Sequence, residues 1–141
     1  MVIMAIDYGD VRTGVAVCDK FEMLASPVTV ITQRKQEILI EEIKSVAEKY
    51  NPSLFVIGLP KNMDSSEGER AQKCIEFAKA LSSATGIDHV MRDERLTTVT
   101  AHNALNVTNT RGKKRKAVVD QVAAVIILQD YIDYRRINNI K

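Results

Sequence analysis

The chain has 141 residues, the usual size of one domain, and 45% of them are hydrophobic, enough for a full core. No apolar run approaches the roughly 20 residues of a membrane-spanning helix. The net charge is +2, but residues 1–100 carry 12 Lys/Arg against 15 Asp/Glu, whereas residues 101–141 carry 8 against 3.

Val2 to Asp7 reads as a strand and Thr13 to Cys18 as its hairpin partner, which places the carboxylate of Asp7 at the rim of a buried strand. Asp7 and Asp10 interrupt the N-terminus before a signal-peptide core could form. Cys18 and Cys74 lack metal-ligand spacing and read as buried, reduced thiols, so a cytoplasmic setting is expected. Ala25 to Ile31, rich in Val, Ile and Thr, reads as a third strand. From Lys35 the period becomes helical, with Ile38, Leu39, Ile43, Val46, Ala47 and Tyr50 on one face and Asn51-Pro52 as the stop. Leu54 to Gly58 is a short apolar strand of the kind covered on both faces. A polar loop, Leu59 to Glu67, follows, with Ser65 or Ser66 as helix N-cap. Ala71, Cys74, Ile75, Ala78 and Leu81 mark a second helix, closed near Gly86. Ile87 to Met91 reads as a fifth strand. Thr97 or Thr98 can cap a short helix through Leu105, and Asn106 to Gly112 reads as an exposed loop. A last helix is expected from about Lys116 to Arg136, with Val119, Val122, Ala123, Ile126, Ile127 and Ile132 among its apolar positions. His89 and His102 sit in no ligand pattern and read as surface residues.

The order predicts an α/β fold over residues 1–141 as a single domain, with no repeat or linker. Three strands joined by short links are antiparallel, and two reached across helices are parallel, which makes a mixed five-stranded sheet flanked by helices. The ends of strands one and five then share one edge, where ligand sites of such folds gather. Asp7 lies at that edge, and so do the neighbours Asp93 and Glu94. Asp120 is the only acid between Ala117 and Leu128. Small residues follow it at i+3 and i+4 (Ala123 and Ala124), which would let its helix lie close to the sheet. Each acid has a plainer reading. Asp7 could cap the hairpin turn, Asp93 could cap the next helix, Glu94 could pair with Arg92 or Arg95, and Asp120 could complement a helix dipole. Together, carboxylates crowded at one edge either share protons or hold divalent cations. Oxygen ligands suit Mg²⁺ or Mn²⁺, and two such ions about 4 Å apart can activate water for phosphodiester cleavage. Arg12, Arg95, Arg111, Lys113, Lys114, Arg115 and Lys116 could hold backbone phosphates. The bland alternative for the basic run is a solvated loop leading into a helix.

These residues carry a resemblance. Asp7-Tyr8-Gly9 with Arg12-Thr13-Gly14-Val15-Ala16 resembles the first motif of the YqgF/RuvX proteins. Gly58-Leu59-Pro60, Asn62-Met63 and Ser66-Glu67-Gly68 match the next, and Asp93-Glu94-Arg95-Leu96-Thr97-Thr98 the third. Lys113 to Lys116, then Val119-Asp120 and Ala123-Ala124-Val125-Ile126, match the last. The resemblance spans nearly the whole chain. It implies a ribonuclease H-like fold of the kind found in Holliday junction resolvases, and a nuclease linked to such junctions and to trimming the 5′ end of pre-16S rRNA. It also implies Asp7, Glu94 and Asp120 as catalytic and metal-binding acids with Asp93 as their neighbour, two Mg²⁺ or Mn²⁺ ions, and structured RNA or branched DNA as partner. One departure stands out. Resolvases of this fold commonly place a Glu at the end of strand four, where this chain has Gly58-Leu59-Pro60.

Two rivals follow from the same residues. Asp-x-Gly hairpins also cradle phosphates in two-domain sugar kinases and actin-like ATPases, but a 141-residue chain holds one copy of that fold. A non-catalytic nucleic-acid-binding module for ribosome assembly would use the basic run equally well. With 5% aromatics and no Trp it would grip backbone rather than stack bases. Resolvase action would favour a homodimer, whereas RNA trimming needs only a monomer.

Overall fold

The computed structural model describes residues 1–60, 68–93 and 112–138, with the segment 112–121 described by its backbone alone. The chain runs β1 (Ile3–Asp7), β2 (Arg12–Cys18), β3 (Ala25–Thr32), α1 (Gln36–Tyr50), β4 (Leu54–Leu59), α2 (Glu69–Thr85), β5 (Asp88–Asp93) and α3 (Gly112–Ile137). The strands form one sheet in the order β3-β2-β1-β4-β5. β1–β2 and β2–β3 pair antiparallel, and β1–β4 and β4–β5 pair parallel, as the short and helical connections predict.

Alternation along the strands divides the core. Met4, Ile6, Val15, Val17, Phe55 and Ile57 pack on one face against α1 and α2. Ile3, Ala5, Ala16, Cys18, Leu54 and Val56 pack on the other against α3. β1 and β4 lie at the middle of the sheet and are buried on both faces, which explains their unbroken apolar runs.

The helices correct several expectations. In α1 the buried residues are Leu39, Ile40, Ile43 and Ala47, whereas Ile38 is 43% exposed. Both isoleucines fit a helical period, and a one-residue rotation decides between them. In α2 Phe77 replaces Ile75 in the core because it stacks flat on Tyr8, with ring centres 4.2 Å apart. Its N-cap is Gly68, with no side-chain cap hydrogen bond; Ser65 and Ser66 lie outside the described residues. The left-handed Gly86 closes α2 as expected. His89 is half-buried, not exposed, with its Nδ1 2.6 Å from Ser82 Oγ of α2. Both cysteines are buried, and they form no disulfide. The short helix expected after Thr97 and His102 lie outside the described residues.

The largest correction concerns α3. It begins at Gly112 rather than near Lys116, so Lys113 to Lys116 lie in its first turns and not in a loop. Lys, Arg and Ala are good helix formers and extend it past the first apolar position. Its fully buried stripe is Ala124, Ile127, Leu128 and Ile132, whereas Val122, Ala123 and Ile126 are half-buried.

α3 is fixed to the sheet at its C-terminal end. Arg135 is 7% exposed and donates from Nε to Glu22 Oε1 at 2.6 Å, while the terminal ammonium of Met1 donates to Glu22 Oε2 at 3.0 Å. Burial alone would raise the Glu22 carboxyl, but these two donors outweigh it and hold it below the usual range. A depressed carboxylate stabilises the fold fully above its ordinary pKa, and that contribution fades as the pH falls through the lowered value. Glu22→Gln is therefore expected to cost about 2 kcal/mol at neutral pH. The gap to wild type should close on acidification below about pH 4. Thermal melts across pH check this; a gap independent of pH overturns it.

Candidate active site

The hairpin that carries Asp7 is held in three ways. Gly9 N–H donates to Thr13 Oγ1 at 3.3 Å. A Cβ on Gly9 would lie 2.1 Å from the Arg12 carbonyl oxygen, so only glycine fits this turn. Arg70, in the first turn of α2, donates to Asp10 Oδ1 at 2.6 Å and to the Tyr8 carbonyl, and lies 5.0 Å over the Tyr8 ring. Burial pushes the Tyr8 phenol up, partly opposed by Arg70, so it stays neutral. Arg70 thereby ties α2 to the residue following Asp7.

Asp7 is half-buried at the last position of β1. It lies two residues beyond Ala5 and so shares the α3 face of the sheet. Across the β1–β2 ladder its partner is Gly14. On the other side Ile6 pairs with Ile57, so the next rung of the parallel ladder sets Asp7 beside Gly58, which pairs in turn with Arg92. Glycine flanks Asp7 on both neighbouring strands, Gly14 on β2 and Gly58 on β4. Counting the hairpin register could have shown the Gly14 half of this from sequence; the Gly58 half needs the parallel β1–β4 pairing.

Arg92, on the rung beside Gly58, is held by α3. Its Nε donates to Asp130 Oδ2 of α3 at 2.7 Å, and its guanidinium lies 4.7 Å over the Tyr134 ring. Arg12 lies on the α3 face by the same alternation, two residues before Gly14, and is half-buried. Asp93 ends β5 with the parity of Met91, which packs with the α1/α2 core, whereas Val90 packs with α3. Glu94, Arg95 and Arg111 lie outside the described residues.

The course of α3 fixes the height of Asp120. Gln129 accepts at Oε1 from the backbone N–H of Ala25. Ala25 pairs with Cys18, whose Sγ accepts from Ile3 N–H at the start of β1. Arg135 reaches further down, to Glu22. α3 therefore rises from the edge where β1 begins toward the edge where β1 ends. From residue 129 to 120 it climbs about 13 Å, and from Ile3 to Asp7 the strand climbs about 13 Å. Position 120 lies one turn before Ala124, which is buried against the sheet. It is the ninth residue of α3, beyond the first turn where a helix dipole would favour an acid. The plainer account of Asp120 therefore loses its basis. Among the described residues no three His, Cys, Asp or Glu side chains come together, and no helix is long and apolar enough to cross a membrane.

A family model described as "RuvX: Holliday junction resolvase" matches residues 1–134. The chain belongs to the RuvX family. It is 44% identical over 135 residues to a protein of Halothermothrix orenii, covering 96% of each chain, and 41% identical over 133 residues to one of Clostridium novyi, covering 94% of this chain and 98% of that one. Both relatives carry the name "Putative pre-16S rRNA nuclease". Among solved structures, Thermus thermophilus RuvC in complex with a Holliday junction superposes with a TM-score of 0.64 at 14% identity, over 100% of this chain and 98% of that one. The fowlpox virus Holliday junction resolvase follows at 0.55 and 14%, over 95% and 99%. These likenesses establish the fold of this RuvX member as the RuvC type of ribonuclease H-like sheet, as the sequence motifs predict.

Proposed function

We propose that this RuvX member is a metal-dependent nuclease of one domain, with Asp7, Glu94 and Asp120 as its catalytic acids, and that it processes the 5′ end of pre-16S rRNA in the cytoplasm. The observation that carries the reading is the glycine-flanked carboxylate of Asp7 on the face along which α3 climbs, with position 120 at matching height. A half-buried acid at the end of a central strand suits a cation better than a packing role. Carboxylate oxygens are the donor set of Mg²⁺ or Mn²⁺. Asp7 would hold the ion, or bridge two, with Glu94 and Asp120 completing the coordination. Bound there, the metal would supply an activated water and stabilise the leaving oxygen.

The basic run supports a phosphate partner. Lys113 to Lys116 occupy the positive end of the α3 dipole, where the first turn holds no acid. Cations there are unfavourable by about 0.3–1 kcal/mol each, and a bound polyanion relieves them. Arg12, Arg95 and Arg111 belong to the same phosphate-holding set. RNA trimming follows the names of the relatives and asks only for a monomer. Cutting of Holliday junctions by a homodimer is the second reading, favoured by the family description. The test is cleavage of a pre-16S rRNA fragment and of a four-way DNA junction with Mg²⁺, Mn²⁺ or EDTA, with product ends mapped. Metal-dependent cutting at the mature 16S 5′ end supports the first reading, and paired symmetrical nicks in the junction support the second. Binding without cleavage of either leaves the assembly module.

A further inference from the structure

A second feature lies at the same sheet edge but on the opposite face. Tyr8, Asp10, Arg34, Gln36, Lys73 and Glu76 line an open cleft of about 400 Å³. It sits where α1 begins, at Gln36, and beside the first turns of α2. Tyr8 forms its inner wall, packed on the α1/α2 core. Arg34 and Lys73 are exposed at its rim, and neither is in an ion pair among the described residues. Asp10 is engaged by Arg70, which leaves Glu76 as the only lining acid outside an ion pair among the described residues. Asp7 and Tyr8 are consecutive, yet Asp7 belongs to the α3 face and Tyr8 to this one.

We propose that this cleft is a second phosphate site, in which Arg34 and Lys73 hold a backbone phosphodiester of the nucleic acid flanking the bond placed at Asp7. The strand crosses the end of β1 and enters the cleft from the other face. The proposal rests on Asp7 marking the cut position. The two cations contact backbone and not bases, so they raise affinity uniformly across sequences and add to its salt dependence.

The experiment compares Arg34→Ala/Lys73→Ala with Lys49→Ala/Lys79→Ala, a pair of exposed lysines on α1 and α2 away from the cleft that lowers the net charge equally. Binding of a labelled pre-16S rRNA fragment is measured by anisotropy in EDTA over a salt series, with thermal melts confirming that both variants fold. The cleft variant is expected to bind about tenfold more weakly, with a salt slope shallower by about 1.4. The control variant keeps wild-type affinity. Unchanged binding in the cleft variant, or equal loss in both, overturns the proposal. Wild type that binds but never cuts defeats the hydrolytic reading and leaves the cleft result standing; wild type that cuts while the cleft variant binds normally defeats the cleft alone.

Discussion

Asp7→Asn is expected to abolish metal-dependent cleavage, with a loss on the order of a thousandfold in kcat, while nucleic-acid binding and the melting temperature change little. The substitution keeps the shape of the side chain and removes its charge. Asp7 has glycine on both neighbouring strands, so the isosteric amide meets no larger cross-strand neighbour. The adjoining hairpin is held by Thr13, Arg70 and the Tyr8–Phe77 stack, none of which changes. Single-turnover cleavage with Mg²⁺ and Mn²⁺, set beside binding in EDTA, measures the split. A variant that cuts at more than a tenth of the wild-type rate removes Asp7 from the chemistry. A variant that melts early shows that Asp7 is a structural turn residue instead.

Strand identity was legible because the local signals agree. β-branched runs end at Gly, Asn-Pro and polar segments, and the one change of period from two to 3.6 near Lys35 marks the first crossover. Strand directions then follow from connection lengths, whereas the order β3-β2-β1-β4-β5 depends on which strands pair. Helix rotation was less legible. Ile38 and Ile40 both suit an amphipathic helix, and only packing on the sheet chooses Ile40. The start of α3 is hard to read because a dense run of charge resembles a solvated loop, although Lys and Arg carry helix propensity.

The candidate site divides in the same way. Asp7 could be read as a strand-end acid from its own neighbours. Its two glycine neighbours could not, since they lie 7 and 51 residues further along and are brought alongside by antiparallel and parallel pairing. The cleft with Arg34 and Lys73 left no motif at all. Its residues come from three separate stretches and meet only because α1 and α2 both begin near the edge where β1 ends.

Glu94→Gln is expected to lower kcat/KM on the order of a hundredfold, whereas Asp93→Asn should stay within about threefold of wild type. The two acids are adjacent in sequence, and composition does not separate them. Strand parity does. Along β5, Val90 packs with α3 and Met91 with α1 and α2, so Asp93 shares the face away from Asp7. Glu94 carries the opposite parity in the sequence, that of Asp7 and of the α3 side. A metal titration sharpens the comparison, because loss of a ligand raises the Mn²⁺ concentration needed for half-maximal rate, whereas loss of a bystander carboxylate does not. If Asp93→Asn is the variant that demands more metal, alternation must break at the end of β5. The ion would then be approached from the α1/α2 face, the same face as the Arg34–Lys73 cleft.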